Sequence, residues 1–302
     1  MTTAAQTRLN DPTEPDLADR LLKSSAALSY DPATEIDWDA PLPDGEYGTP
    51  PEWCSLYGTP LWDEMTDAQR VILTRHEAAS MLCTGIWFEM ILQQLILRDQ
   101  YLKDPSTAEF QFALTEIADE CRHSIMFARI CQKLGTPAYY PKRLVVELAR
   151  GFKSLASTEV AYGAGLVAEE VLDVLQRATM GDQRVLGIVR ASSMIHVVEE
   201  SRHMKFARAE VREHLKGAGP ARRWHASVAI AIVGYVIVTS LVNEGVYEAA
   251  GLDAKRAVAA AQASPHRKSM LRNACAGLME FLGEEGLLTR PAVALYRRAG
   301  MI

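Results

Sequence analysis

The sequence predicts an all-α helical bundle. Three observations carry that expectation: from Thr66 onward apolar residues recur at helical spacing with no alternating β pattern, side-chain caps stand ahead of long periodic segments, and neither a glycine-rich strand-to-helix turn nor a solenoid repeat intervenes. With 302 residues, 48% hydrophobic and 23% charged, the chain can bury a large core.

Residues 1–66 form a separate, irregular arm. It holds 8 of the 14 prolines, three of the five tryptophans (Trp38, Trp53, Trp62) and 13 acidic against 3 basic side chains. Its first 20 or so residues have the composition of disorder, while the tryptophans predict that the rest packs on the body, where opposite charge favours docking. Residues 67–302 form the helical domain. Thr66-Asp67-Ala68-Gln69 and Ser106-Thr107-Ala108-Glu109 read as capping boxes, Pro141, Pro220 and Pro265 suit first helical turns, and Ser264 suits a cap. The spacing predicts long helices near 67–102, 107–134, 155–180, 183–216 and 221–250, then shorter C-terminal ones. The uncharged stretch Ala226–Asn243 is at the lower length limit for a membrane span and reads instead as a central helix buried on all sides, with no second such segment.

Composition excludes several classes of function. A net charge of -6 disfavours a nucleic-acid partner. Five scattered cysteines without a C-x-x-C pair argue against a disulfide scaffold or a thiolate zinc site and fit a reducing cytoplasm. The first 30 residues lack the charged start and apolar run of a signal peptide, so the protein is expected to be cytoplasmic and to need no membrane.

Two segments carry chemistry: Asp119-Glu120-Cys121-Arg122-His123 and Glu199-Glu200-Ser201-Arg202-His203. Glu and His three apart lie within roughly 60° on one helix face, so a carboxylate and an imidazole can reach one metal ion. Composition gives roughly half an E-x-x-H by chance in a chain like this; two copies, with matching neighbours and both within helices, are uncommon. His196, four before Glu200, shares that face. Glu89 and the pair Glu169-Glu170 each lie in apolar runs of other helices. A lone buried carboxylate costs several kcal/mol unless neutralised, and four helices each supplying one need a common counter-charge. Two divalent cations balance four Glu, and three neutral imidazoles complete their shells. This is the ferritin-like dimetal arrangement, in which carboxylate and imidazole donors suit iron, with manganese as the alternative.

The ligand order Glu, Glu-x-x-His, Glu, His-x-x-x-Glu-x-x-His resembles the p-aminobenzoate N-oxygenase family of diiron enzymes from antibiotic pathways. The histidine four before the second Glu-x-x-His is the distinguishing mark, and the likeness runs from about Arg70 to Leu215, more weakly over Met270–Leu288. The resemblance implies Glu89, Glu120, His123, Glu169, His196, Glu200 and His203 as metal ligands, with Glu170 as the alternative to Glu169. It places Asp119 and Glu199, the latter where an Asp is often found, as hydrogen-bond acceptors fixing ligand imidazoles, with Arg122 and Arg202 beside them. It implies two irons, O2 and a small organic amine as substrates, an external electron donor, a homodimer, and a monooxygenase carrying the amine through hydroxylamine towards nitroso or nitro. No catalytic side chain beyond the metal centre is required, and no benzoate-anchoring set aligns. The alternatives are C–H hydroxylation or desaturation at the same centre and, from another class, a ferroxidase or iron-binding protein. His76, His214, His225 and His266 lack partners at ligand spacing and read as surface or capping residues. The Arg-rich stretches 143–153 and 208–223 read as solvated faces or as ground for the acidic arm.

Overall fold

The computed structural model describes residues 17–302. The arm carries α1 (Leu17–Ala27), α2 (Pro32–Glu35) and α3 (Pro60–Glu64). Six longer helices follow: α4 (Asp67–Gln100), α5 (Ala108–Leu134), α6 (Arg143–Leu155), α7 (Thr158–Gly181), α8 (Gly187–Leu215) and α9 (Pro220–Ser240). The C-terminal part holds α10 (Gly245–Ala249), α11 (Ala254–Ala263), α12 (Pro265–Glu284) and α13 (Arg290–Ala299). Among the described residues there is no strand, and one parallel bridge joins Tyr47 to Val185.

Local chemistry accounts for most helix limits. Thr66 and Gln69 form the reciprocal box that starts α4. Ser264 caps α12, and Pro220 and Pro265 occupy first turns. The cap of α5 is Thr107 rather than Ser106, whose backbone N–H and hydroxyl instead engage Asp104. Pro141 lies just outside a helix rather than in its first turn: α6 starts at Arg143, and it carries the Arg-rich stretch 143–153 expected on a helix face. The helix expected to run from 221 to 250 stops at Ser240. There Thr84 Oγ1 donates to the Ser240 carbonyl at 3.1 Å, and Ser80 Oγ donates to the Leu241 carbonyl while accepting from Asn243 N–H, both at 2.9 Å. Side chains of α4 thus satisfy carbonyls that another helical turn would have used.

The central four helices are α4, α5, α7 and α8, with α4 against α5 and α7 against α8 as the closest pairs. The outer face of α7 receives α9 and α12, and α13 packs on α9. Close approach explains one glycine: a Cβ on Gly163 of α7 would meet Ile230 Cδ1 of α9 at 2.4 Å. The stretch Ala226–Asn243 is not buried on all sides. Ala226, Ile230, Ala231 and Ile237 face the core, while Ile232 is 47% exposed. Two helical segments, Asp67–Gln100 and Pro220–Ala249, are long and apolar enough to cross a membrane, so the uncharged stretch has a counterpart in α4. Both carry buried faces that belong to the bundle core.

The arm packs on the body along its described length. α1 lies on α5 and α8. Trp38 lies beneath the Arg129 guanidinium at 4.0 Å, and Glu52 forms a two-point pair with Arg184 at 2.7 and 3.0 Å. Gly48 leaves no room for a side chain, because a Cβ would fall 2.4 Å from the Arg75 backbone of α4. Buried Glu77 accepts from the Ser55 backbone and hydroxyl, and that hydroxyl also meets Tyr247 at 2.9 Å, tying arm, α4 and α10 together. Opposite charge does contribute, and among the described residues three arginines of the stretch 208–223 pair within the body instead. Arg208, Arg212 and Arg222 pair with Glu170, Glu284 with Glu285, and Glu159 of the body. The expected disordered start lies largely outside the described residues, and α1 already begins at Leu17.

Candidate metal centre

Each central helix turns one face inward at the same level. α4 brings Glu89, α5 brings Glu120 and His123, α7 brings Glu169, and α8 brings His196, Glu200 and His203. All seven are buried, at 0–8% exposure. Their ligand atoms form overlapping clusters within 4.8 Å: Glu89 with His123 and His196, Glu120 with His123 and Glu200, and Glu169 with His196 and Glu200. A further cluster joins Glu120 and His203 to Glu116, a buried carboxylate absent from the sequence reading. Glu170 points elsewhere and pairs with Arg208 at 2.5 and 2.9 Å, so of the two adjacent carboxylates Glu169 is the one in the centre.

The two E-x-R-H motifs interlock. His123 Nδ1 lies 3.1 Å from Glu120 Oε2 and 3.2 Å from Glu200 Oε1, and its Nε2 meets Glu199 of the other helix at 2.7 Å. His203 mirrors this, with Nδ1 3.1 Å from Glu200, 3.4 Å from Glu120, and Nε2 3.2 Å from Asp119. The acidic residue of each motif therefore holds the imidazole of its partner motif and leaves Nδ1 turned toward the shared carboxylates. Arg122 binds Asp119 and lies 3.8 Å from Glu199, while buried Arg202 lies 4.0 and 3.9 Å from the same two acids. The arm reaches this back wall too, since Tyr30 N–H donates to Glu199 at 3.2 Å.

His196 is held differently. Its Nδ1 faces Gln176 Oε1 at 2.9 Å, which turns Nε2 toward Glu89, Glu169 and Glu200 at 3.8, 3.9 and 3.7 Å. Ser124 of α5 donates to Glu89. Neither Gln176 nor Ser124 belongs to the sequence-predicted set; both are neutral, so no unpaired charge marked them. Glu116 had a signal, standing four before Glu120 on the same helix face.

Electrostatics test whether this donor set fits cations. Burial, reinforced by Glu200, Glu120 and Glu89, pushes the Glu169 carboxyl well above its ordinary range. Burial likewise raises Glu89, and Glu116 goes up to about 8. Burial also opposes ionisation of Glu200, but His203 and His196 outweigh it and hold that carboxyl well down. Burial disfavours charge on His123 and His203, yet the surrounding carboxylates raise both imidazoles well above their usual value. The cluster thus favours positive charge at its centre. Glu120 Oε1 is buried without a hydrogen-bond partner among these side chains. Four carboxylates, one of them with an orphaned oxygen, and three imidazoles are the donors that two divalent cations would satisfy, and Glu89, Glu120, His123, Glu169, His196, Glu200 and His203 would hold them.

The front of the centre opens on a cavity of about 70 Å³ between α4, α5, α7, α8 and α9, and Glu89, Glu169 and His196 form part of its wall. Phe88, Met81, Leu172 and Leu175 make it predominantly apolar, and Thr49 brings the arm into its lining. The other histidines lie outside the clusters: His76 meets Tyr139, His214 its own helix at Glu210, and His266 the Glu52 carbonyl.

Comparison with known proteins agrees with this architecture. Uncharacterized proteins of Mycobacterium bovis and of two Mycobacterium tuberculosis strains are each 28% identical to the chain over 211 residues, covering 65% of this chain and 59% of the relative. The matched stretch therefore spans less than two thirds of those relatives. The family model described as P-aminobenzoate N-oxygenase AurF matches residues 11–286, nearly the whole chain. The chain belongs to the p-aminobenzoate N-oxygenase AurF family, a family of diiron monooxygenases.

Proposed function

We propose that this protein is an O2-dependent diiron oxygenase that oxygenates the nitrogen of an amine, through hydroxylamine towards nitroso or nitro. The observation that carries the reading is the position of His196, whose Nε2 faces three carboxylates of the cluster at the wall of an apolar cavity. Two ferrous ions, when bound, would supply electrons to O2. The chain's own contribution is positional. Asp119 and Glu199 fix the His203 and His123 rings, Gln176 fixes His196, and Phe88 and Phe127 keep water from the cavity side. An amine entering the cavity would meet the centre at its Glu89–Glu169–His196 face. An iron-storage role gives no reason for an apolar cavity at the centre.

The same reading takes the enzyme as a cytoplasmic homodimer served by an external electron donor. The test is anaerobic iron loading followed by aerobic incubation with an arylamine and a reductant, with products identified by mass spectrometry. Hydroxylamine, nitroso or nitro products support the reading, while ring- or alkyl-hydroxylated products would replace it with C–H oxidation. His196→Ala should stay folded, judged by circular dichroism, yet lose one iron or most O2-dependent turnover. A fully active, metal-replete variant would remove His196 from this account.

A further inference from the structure

The family's name refers to an aromatic amine bearing a carboxylate. A carboxylate entering a buried site needs a cation or a set of converging donors, because burying an unpaired charge is costly. Among the described residues, neither lysine nor arginine contributes to the wall of the cavity beside the metal centre. Its ionisable lining consists of Glu89, Glu169 and His196, the residues that would face the metals. Metal binding does not change this, since four glutamates already balance two ferrous ions.

The polar groups of the wall are largely engaged elsewhere. Thr84 donates to the Ser240 carbonyl at 3.1 Å, Thr179 to the Leu175 carbonyl at 2.8 Å, and Ser192 to the Val189 carbonyl at 3.3 Å. Gln176 gives its Oε1 to His196, which leaves its amide NH2 as a neutral donor at the wall. Thr49 Oγ1 is buried and without a partner. Dispersed neutral donors of this kind suit a dipolar group, not a full negative charge.

We infer that this chain selects uncharged, carboxylate-free arylamines and discriminates against p-aminobenzoate, with the missing cation at the cavity wall as the determinant. This rests on the oxygenase reading for the amine, but its argument and its test concern binding. An arylamine is neutral at pH 7, so its nitrogen can enter the apolar cavity without stripping a charge of water. Met81 marks where the determinant could be restored. It is half-buried, lines the cavity, and is an unbranched side chain whose course a longer arginine can follow.

The experiment is calorimetric titration of the iron-loaded protein under anaerobic conditions with p-toluidine and with p-aminobenzoate, which differ in a methyl against a carboxylate. The inference predicts p-toluidine binding at least about tenfold more tightly, and Met81→Arg narrowing or reversing that ratio. Equal or tighter binding of p-aminobenzoate by the wild-type protein would overturn it whether or not the variant folds, and so would binding of neither probe. Metal content and amine turnover of the same preparation test the oxygenase reading separately. An iron-replete protein that prefers p-aminobenzoate defeats the selectivity alone, whereas one that binds p-toluidine without oxidising it defeats the reaction and leaves the selectivity standing.

Discussion

The α5–α8 wall of the centre and its α4–α7 wall use the same residue types in different ways. On the α5–α8 side each imidazole is gripped from behind by the acid of the opposite motif; Arg122 binds Asp119, Arg122 and Arg202 lie 3.8 and 3.9 Å from Glu199, and the arm adds Tyr30 N–H to Glu199. On the α4–α7 side Glu89 has Ser124, His196 has Gln176, and Glu169 is approached by His196 at 3.9 Å, with the cavity beyond. A charged, crossed network holds its groups rigidly because every displacement leaves a buried charge short of a partner. Neutral single contacts leave room for rearrangement when substrate arrives. On the proposed function, the back wall would retain metal and the front wall would admit substrate.

Substitutions that break this division should fall in a definite order. Glu120→Ala has the largest effect, because three carboxylates no longer balance two ferrous ions. Metal analysis should give clearly fewer than two irons per chain, and retention of two would contradict the assignment of Glu120 as a shared ligand. Next is Asp119→Asn, which weakens the hold on His203 from across the helix pair. Competition against a chromophoric chelator should show metal affinity falling by about 10–100-fold, with circular dichroism unchanged.

Gln176→Leu sharpens the comparison from the other side. It should leave two irons in place while lowering amine turnover by about tenfold, through misorientation of His196. Metal loss as large as that of Asp119→Asn would erase the distinction between the walls. The smallest effect lies away from both. At Glu159 burial opposes ionisation, but the Arg222 guanidinium, bound at 2.9 Å, outweighs it and keeps the carboxyl below its ordinary value. A carboxyl whose pKa is lower in the folded protein contributes stability above its unfolded value of about 4.5 and loses it as pH falls through the folded one. Arg222 is half exposed, so solvent screening limits the contribution to about 1 kcal/mol or less. Denaturant unfolding of Glu159→Gln should show that small deficit at pH 7, shrinking as pH drops below about 4.

The inward set of charged residues was legible because helical periodicity projects directly onto burial. Glu and His three apart share a face, and an isolated Glu in an apolar run needs a counter-charge wherever that run packs. What periodicity does not encode is which helix supplies a partner. The crossed bonds from His123 to Glu199 and from His203 to Asp119 depend on how α5 meets α8, and each motif alone suggests only a local pair. Glu169 and Glu170 lie about 100° apart on α7, and the choice between them is made by Arg208, 38 residues away, drawing Glu170 outward. Gln176 and Ser124 carry no charge and gave no energetic signal. The end of α9 at Ser240 was likewise hidden, because hydroxyls of Ser80 and Thr84 on α4 cap it from the side.

The most direct test of the whole account is the metal content of the purified protein, set beside that of Glu120→Ala. The account predicts two irons per chain in the wild type and a clear loss in the variant, with both proteins helical. A folded wild-type protein that binds no metal after anaerobic loading with ferrous iron would contradict it.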